Sequence, residues 1–186
     1  MAKLIYIINT SLDGYIEDAS GNFDWSEPDE IDHDFYTELL RPVGLHLYGR
    51  RMYQMMEVWQ SPPADWPSQM QDFARVWQDA DKIVYSRTLT QAATPRTTIE
   101  REFDPEAVRQ LKASSARDLA IAGPELAAHA IAAGLVDEYH AVIWPVIVGG
   151  GKPWLPDGVR VNLELVEERR LGKTAVYLRY SARPPG

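Results

Sequence analysis

Gly44-Leu45-His46-Leu47-Tyr48-Gly49-Arg50-Arg51-Met52-Tyr53 decides how this chain reads. Leu45 to Tyr48 have strand character, Gly49 breaks the run, two arginines follow at once, and Met52-Tyr53-Gln54-Met55-Met56 continue as a helix. A strand that passes through a glycine into a helix start turns free backbone N–H groups outward, where they favour an anion. Guanidinium groups add planar, forked donors suited to phosphate oxygens. Taken alone the stretch fits two readings: a phosphate-bearing cofactor at this turn, or an ordinary tight turn with solvated arginines.

Outward from this turn, strand and helix patterns alternate. Upstream, Lys3 to Asn9 is near-continuously apolar, as a buried central strand is. Ser11-Leu12-Asp13-Gly14 is a turn, Tyr15-Ile16 resumes briefly, and Asp18 to Asn22 is a polar loop ending at Phe23-Asp24-Trp25. Pro28 to Leu40 reads as a helix with Ile31, Phe35, Leu39 and Leu40 on one face and acids in its first turns; Pro42 stops it. Downstream, Trp59 to Pro67 is irregular. Ser68 to Asp79 is helical, with Met70, Phe73, Ala74 and Trp77 inward. Lys82 to Tyr85 is a strand that runs out at Ser86-Arg87-Thr88. Thr97 to Phe103 alternates as a strand. Asp104-Pro105 caps a helix to Ser114. Asp118 to Ala122 is a strand, and Gly123-Pro124-Glu125-Leu126 opens a helix that Gly134 ends. Glu138 to Val148 is the longest apolar strand. Gly149-Gly150-Gly151-Lys152-Pro153 reads as a flexible loop. Leu163 to Arg170 and Thr174 to Tyr180 read as an antiparallel hairpin.

This order predicts a single α/β domain over 1–186, a mainly parallel sheet flanked by helices with an antiparallel C-terminal hairpin. A chain of 186 residues, 45% hydrophobic and 25% charged, is large enough for one such core. No apolar run reaches membrane-span length, and Asn9 and Asp13 end the N-terminal run too early for a secretory signal. There are no cysteines, which excludes disulfides and thiolate metal sites and fits a cytoplasmic protein. A formal net charge of −8 without a basic block argues against nucleic acid as the main partner, and no membrane partner is expected. His33, His46, His129 and His140 lack metal-ligand spacing, so no metal is expected. Gly150-Gly151-Lys152 is no phosphate loop, because Val146 and Pro153 occupy its defining positions.

In open α/β sheets ligands bind at the carboxyl ends of strands. Three strand ends carry the needed groups: Gly49-Arg50-Arg51, Ser86-Arg87-Thr88 and Gly123-Pro124-Glu125. Together they favour a nucleotide cofactor over solvated turns.

With Ser11-Leu12-Asp13-Gly14, Asp24-Trp25, Leu47 to Tyr53, Ser86-Arg87-Thr88-Leu89, Gly123 to Leu126, Gly134-Leu135-Val136-Asp137-Glu138 and Pro145 to Pro153 in that order, the chain resembles a known family from Lys3 to about Tyr180. It resembles the bacterial dihydrofolate-reductase-like proteins related to the C-terminal reductase domain of the bifunctional riboflavin-biosynthesis deaminase/reductase. The resemblance implies a dihydrofolate-reductase-like fold, NADPH as hydride donor and a homodimer. It implies a reductase resembling 5-amino-6-(5-phosphoribosylamino)uracil reductase or a dihydrofolate reductase, acting on an aminopyrimidine or pterin-like substrate. It assigns the cofactor to Gly49, Arg50 and Arg51, to Ser86 and Arg87 near a 2′-phosphate, and to Gly123, Pro124, Glu125 and Leu126. It places Asp13 and Trp25 on a loop covering the nicotinamide and substrate, and it points to a first-helix carboxylate, Asp34 or its neighbour Asp32, for proton supply. Asp34, Asp13 and Trp25 are therefore the catalytic candidates. The other reading of those acids is that they cap and solvate the helix start. Trp144 is the expected dimer contact. A non-catalytic nucleotide-binding sensor or scaffold of the same fold is the alternative function. The zinc deaminase half is absent, since its ligand motif is missing.

Overall fold

The computed structural model describes residues 1–26, 30–172 and 175–183, with the backbone alone for 30–32. The main sheet is built from β1 (Leu4–Ser11), β3 (Val43–Gly49), β4 (Asp81–Tyr85), β5 (Thr97–Glu100), β6 (Asp118–Ala122), β7 (Glu138–Trp144), β9 (Leu163–Leu171) and β10 (Ala175–Ala182). A separate ribbon pairs β2 (Tyr15–Asp18) with β8 (Gly151–Pro153). The helices are α1 (Glu30–Leu40), α2 (Arg50–Met56), α3 (Ser68–Asp79), α4 (Pro105–Ser114) and α5 (Pro124–Ala132).

The sheet order is β5-β4-β3-β6-β1-β7-β10-β9. Every pair from β5 to β7 is parallel, and β10 pairs antiparallel with both β7 and β9. The parallel strands read as apolar runs because both faces are covered. On β1, Leu4, Tyr6 and Ile8 face Val108 of α4 and Leu126, Ala130 and Ile131 of α5. Ile7, on the other face, packs toward Leu40 of α1 and Phe73 and Trp77 of α3. The dihydrofolate-reductase-like architecture expected from the sequence is the one observed.

Local signals behave as their chemistry predicts. The Asp104 carboxylate accepts from the Glu106 amide as the N-cap of α4. Gly134 ends α5 at φ +64°, a backbone angle that favours glycine. Asp137 and Glu138, expected near the start of the long strand, secure its lower end. The Asp137 Oδ2 accepts from the Leu4 amide at 2.7 Å and pairs with the Lys112 Nζ at 2.6 Å, while Glu138 meets the Lys3 Nζ at 2.6 Å.

Four expectations need correction. The long strand stops at Trp144 rather than Val148 because Pro145 has no N–H to continue the ladder. The strand from Thr97 ends at Glu100. Trp144 is not a dimer contact: it is 7% exposed, packed among Phe35, Val142, Leu171 and Tyr177. The glycine run is not a loose loop, since Gly151 and Lys152 pair with Asp18 and Glu17. The expected helix start at Pro28 and part of the Gly172-Lys173 turn lie outside the described residues.

Gly151 explains why the ribbon needs a glycine. Its φ is +146°, and a Cβ there would lie 2.0 Å from the Glu17 carbonyl oxygen. Gly151→Ala is expected to force the ribbon open, at a cost of about 1–3 kcal/mol typical of overpacking. Faster amide hydrogen exchange over Tyr15–Asp18 is the readout; unchanged protection would mean the backbone accommodates the methyl group.

Candidate active site

Parallel pairing of β4, β3 and β6 sets three strand ends side by side. Gly49 is opposite Tyr85, and Tyr48 is opposite Ala122. The segments that leave there, starting at Gly49, Ser86 and Gly123, form one rim. Beneath it, between the sheet and α1–α3, lies a cavity of about 650 Å³, within the usual range for small-molecule sites. Ala120 and Ala122 of β6 leave the space open. His46 and Tyr48 of β3, Ile7 and Asn9 of β1, His33 and Tyr36 of α1, the α2 methionines, Trp59 and Phe73 wall it.

The floor is apolar and rigid. His46 and Tyr48 stack with ring planes 4° apart and centroids 5.3 Å apart. The Trp77 indole donates to the Tyr48 hydroxyl at 3.1 Å. Burial, reinforced by the Lys82 and Arg117 charges, holds the His46 imidazole down to about 3, so it is neutral at ordinary pH. The Asn9 Oδ1 accepts from the Tyr36 hydroxyl and, at 3.0 Å, from the Trp144 indole.

The rim carries the charge. Arg50 is exposed, with no ion pair to any described residue. Arg51 reaches Glu17 at 3.7 Å, Glu17 reaches Lys152 at 3.6 Å, and Lys152 reaches Glu125 at 2.7 Å. This alternating chain ties the β2–β8 ribbon to the first turns of α2 and α5. Arg87 is largely exposed and pairs with the equally exposed Glu102 at 3.1 Å, an arrangement of little energetic weight. Ser86 is buried, its hydroxyl accepting from the Leu89 amide at 3.0 Å. Gly123 takes φ +94°, and a Cβ there would come no closer than 3.9 Å to Met52. Pro124 occupies the first position of α5, where its missing N–H is harmless.

The expected cofactor residues thus separate. Gly49, Arg50, Ser86, Arg87, Gly123 and Pro124 gather at the rim, and Gly123 and Pro124 also line the cavity. Arg51 and Glu125 are engaged by the ribbon. Leu126 is a core residue at 7% exposure, packed under β1 and β6. The helix after Gly49 has seven residues, so its dipole is slight and the arginines dominate that turn.

None of the expected catalytic residues lines the cavity. Asp34 is exposed, whereas His33 and Tyr36 line it; successive helical residues turn by about 100°, which takes Asp34 off the inward face. Asp32's side chain lies outside the described residues. Asp13 clasps the ribbon: Ser11 Oγ donates to it at 2.7 Å, the Gly149 and Val148 amides at 2.8 and 3.2 Å. These bonds hold its carboxyl below the usual carboxylate range, Ser11 foremost. Trp25 packs beside Phe35 and Val142, while its neighbours Phe23, Asp24 and Ser26 line the cavity. Sequence reading missed Asn9, whose only signal is an amide in an apolar strand. It also missed Arg101, which pins residues 86–89 by donating to the Ser86 and Leu89 carbonyls at 2.9 and 2.7 Å. Among the described residues no cluster could hold a metal ion, and no helix is long and apolar enough to cross a membrane.

A mainly parallel sheet of this order with an antiparallel C-terminal hairpin is the dihydrofolate-reductase-like fold, and here it carries a basic rim above an apolar cavity. Residues 2–177 match the RibD C-terminal domain family, and the chain belongs to that family. It is 30% identical to the uncharacterised protein YyaP of Bacillus subtilis (strain 168) over 96% of this chain and 94% of that one. Among solved structures it resembles a protein of Shewanella sp. PV-4 ascribed to riboflavin biosynthesis, with a TM-score of 0.75 and 23% identity over 99% of this chain and all of that one. It also resembles the diaminohydroxyphosphoribosylaminopyrimidine deaminase/5-amino-6-(5-phosphoribosylamino)uracil reductase of Thermotoga maritima. There the TM-score is 0.66 and the identity 14%, over 98% of this chain and 57% of that longer one.

The neutral floor has a consequence for stability. Unfolded, His46 takes a proton below about pH 6.5; folded, it does so only near 3. Its contribution therefore falls as pH drops from about 6.5 toward 3, by roughly 1.4 kcal/mol per pH unit. His46→Gln is expected to flatten the acid side of the stability profile, read from urea midpoints between pH 7 and 4. An unaltered profile would show that His46 takes up a proton within the fold.

Proposed function

We propose that the protein is an NADPH-dependent reductase of a small planar heterocycle, pterin-like or aminopyrimidine, bound in the cavity. The observation that carries this reading is the meeting, at one sheet edge, of a basic rim with a deep apolar cavity. The rim fits a dinucleotide phosphate chain. Arg50 holds no ion pair with a described residue, Arg87 holds an exposed and easily exchanged partner, and Gly123 leaves its approach open. Family membership supports reductase chemistry, and the Thermotoga maritima protein's name includes a pyrimidine reductase. When bound, the cofactor would supply a hydride, that is two electrons and one hydrogen nucleus, to the acceptor.

The chain's own contribution is placement and exclusion of water. The stacked His46 and Tyr48, the α2 methionines and Trp59 present a dry floor. Glu17 and Asp24 are the carboxylates on the described lining. Glu17 is engaged by Arg51 and Lys152, which leaves Asp24 as the group to relay the proton that completes reduction. The lack of a described carboxylate on the sheet floor favours the second reading, a non-catalytic nucleotide-binding protein. Tight NADPH binding with no oxidation against pterins, pyrimidines and quinones would decide for it. We also read the chain as a homodimer. With Trp144 buried, the seam falls to the open edge strand β9, where Leu165 and Val166 are exposed.

Arg50→Ala and Arg87→Ala test the rim. Loss of a charge-assisted contact to the 2′-phosphate should weaken NADPH about 10- to 100-fold and leave NADH nearly unchanged, by calorimetric titration. Equal loss for both dinucleotides would move that arginine to the pyrophosphate. No loss for either variant would remove the rim from the cofactor site.

A further inference from the structure

We propose that Asn9 is the residue that orients the substrate, and that the substrate is an uncharged planar compound with a ring carbonyl and no phosphate group. The inference rests on the reductase reading above and narrows its substrate.

The orientation of the Asn9 amide is fixed by chemistry. An indole N–H only donates, so the atom it meets at 3.0 Å must be the amide oxygen. The Tyr36 hydroxyl donates to the same oxygen. Both lone pairs of Oδ1 are then filled, and the Nδ2 is turned away from Tyr36 and Trp144. Among the described residues, the hydrogen bonds of the Asn9 side chain are the two that its oxygen accepts. Asn9 belongs to β1, which has β6 on one side and β7 on the other, so the space open to the Nδ2 is the cavity that Asn9 lines. The result is a pair of amide donors, held rigidly through the oxygen by two partners, in a cavity where Ile7, Trp59 and methionine side chains stand beside the rings of His33, His46 and Tyr48. Such a site recognises a carbonyl or ring-nitrogen acceptor on a flat apolar body.

The charge of the described lining disfavours a phosphorylated substrate. No lysine or arginine is among its described residues, while Glu17 and Asp24 are. A phosphate dianion drawn into this cavity would lose water beside the Asp24 carboxylate and beside a Glu17 whose cations, Arg51 and Lys152, are already paired. The nearest cations, Arg51 and Lys152, are held by Glu17 and Glu125, and Arg50 and Arg87 are the ones the cofactor phosphates require. Tyr36 and Trp144 are positioning residues, acting through the Asn9 oxygen.

Calorimetry on the full chain tests both halves. The probes are neutral lumazine, which carries ring carbonyls, and 5-amino-6-ribosylaminouracil with and without its 5′-phosphate. Lumazine and the unphosphorylated ribosylaminouracil should bind, and the phosphate should weaken binding by tenfold or more; tighter binding of the phosphate, or no binding of either neutral probe, overturns the proposal. Asn9→Asp keeps the acceptor for Tyr36 and Trp144 but replaces the outward donor with an acceptor. It should weaken lumazine about 10- to 100-fold, with affinity recovering as pH falls and the neutral acid regains an O–H donor. A merely structural role would leave affinity and its pH profile unmoved, and that result also overturns the assignment. The wild-type comparison of phosphorylated and unphosphorylated probes stands without any variant. NADPH is titrated separately: its failure to bind would remove the reductase reading while leaving an Asn9-dependent carbonyl site intact.

Discussion

Parallel pairing of β4, β3 and β6 is the constraint from which the site follows. Because Gly49 is level with Tyr85 and Tyr48 with Ala122, three chain segments must leave the sheet at one height. The alanines of β6 then decide what lies below. Ala120 is opposite His46 and Ala122 opposite Tyr48, so a strand of small side chains runs beside one of stacked rings. Helices that rest on the rings cannot also fill the gap over the alanines. A sheet with large residues on both strands would have closed over and left only the rim.

The site is divided by dielectric. Charges stay at the rim, where water screens them and an incoming anion can exchange with partners such as Glu102. The floor holds neutral groups whose polar atoms are mostly engaged: Tyr48 with Trp77, and the Asn9 oxygen with Tyr36 and Trp144. Buried His46 joins this floor only by giving up its proton. That division suits a two-part ligand set, a phosphate-bearing body above and a flat neutral ring below.

Much of this was legible in the sequence, for identifiable reasons. Long apolar runs, the Asp104-Pro105 cap and Gly134 each carry a local signal, and the alternation of strands and helices fixed the sheet class. The rim was legible because its residues sit at strand ends, and strand ends are readable. The floor was not. Asn9 looks like an interruption in an apolar strand until Tyr36 and Trp144, distant in sequence, are seen to share its oxygen. Asp34 looked suitable by type, but helix phase turns its neighbours inward instead. Trp144 reads as an interface residue in sequence, and the side chains that bury it, Phe35, Leu171 and Tyr177, come from other elements that its own strand does not reveal. The strand β8 was hidden by glycines whose purpose is close backbone approach, a property that one chain segment cannot reveal alone.

The alternating row Arg51, Glu17, Lys152 and Glu125 differs in kind from everything beneath it. The core is held by apolar burial, which carries no charge for salt to screen, whereas attraction between ion pairs that reach the surface weakens as ionic strength rises. The ribbon over the cavity is thus held in part by contacts that salt weakens, unlike the apolar core beneath it. Its grip loosens in a concentrated electrolyte and tightens in a dilute one, so access to the cavity depends on the medium as well as on the ligand.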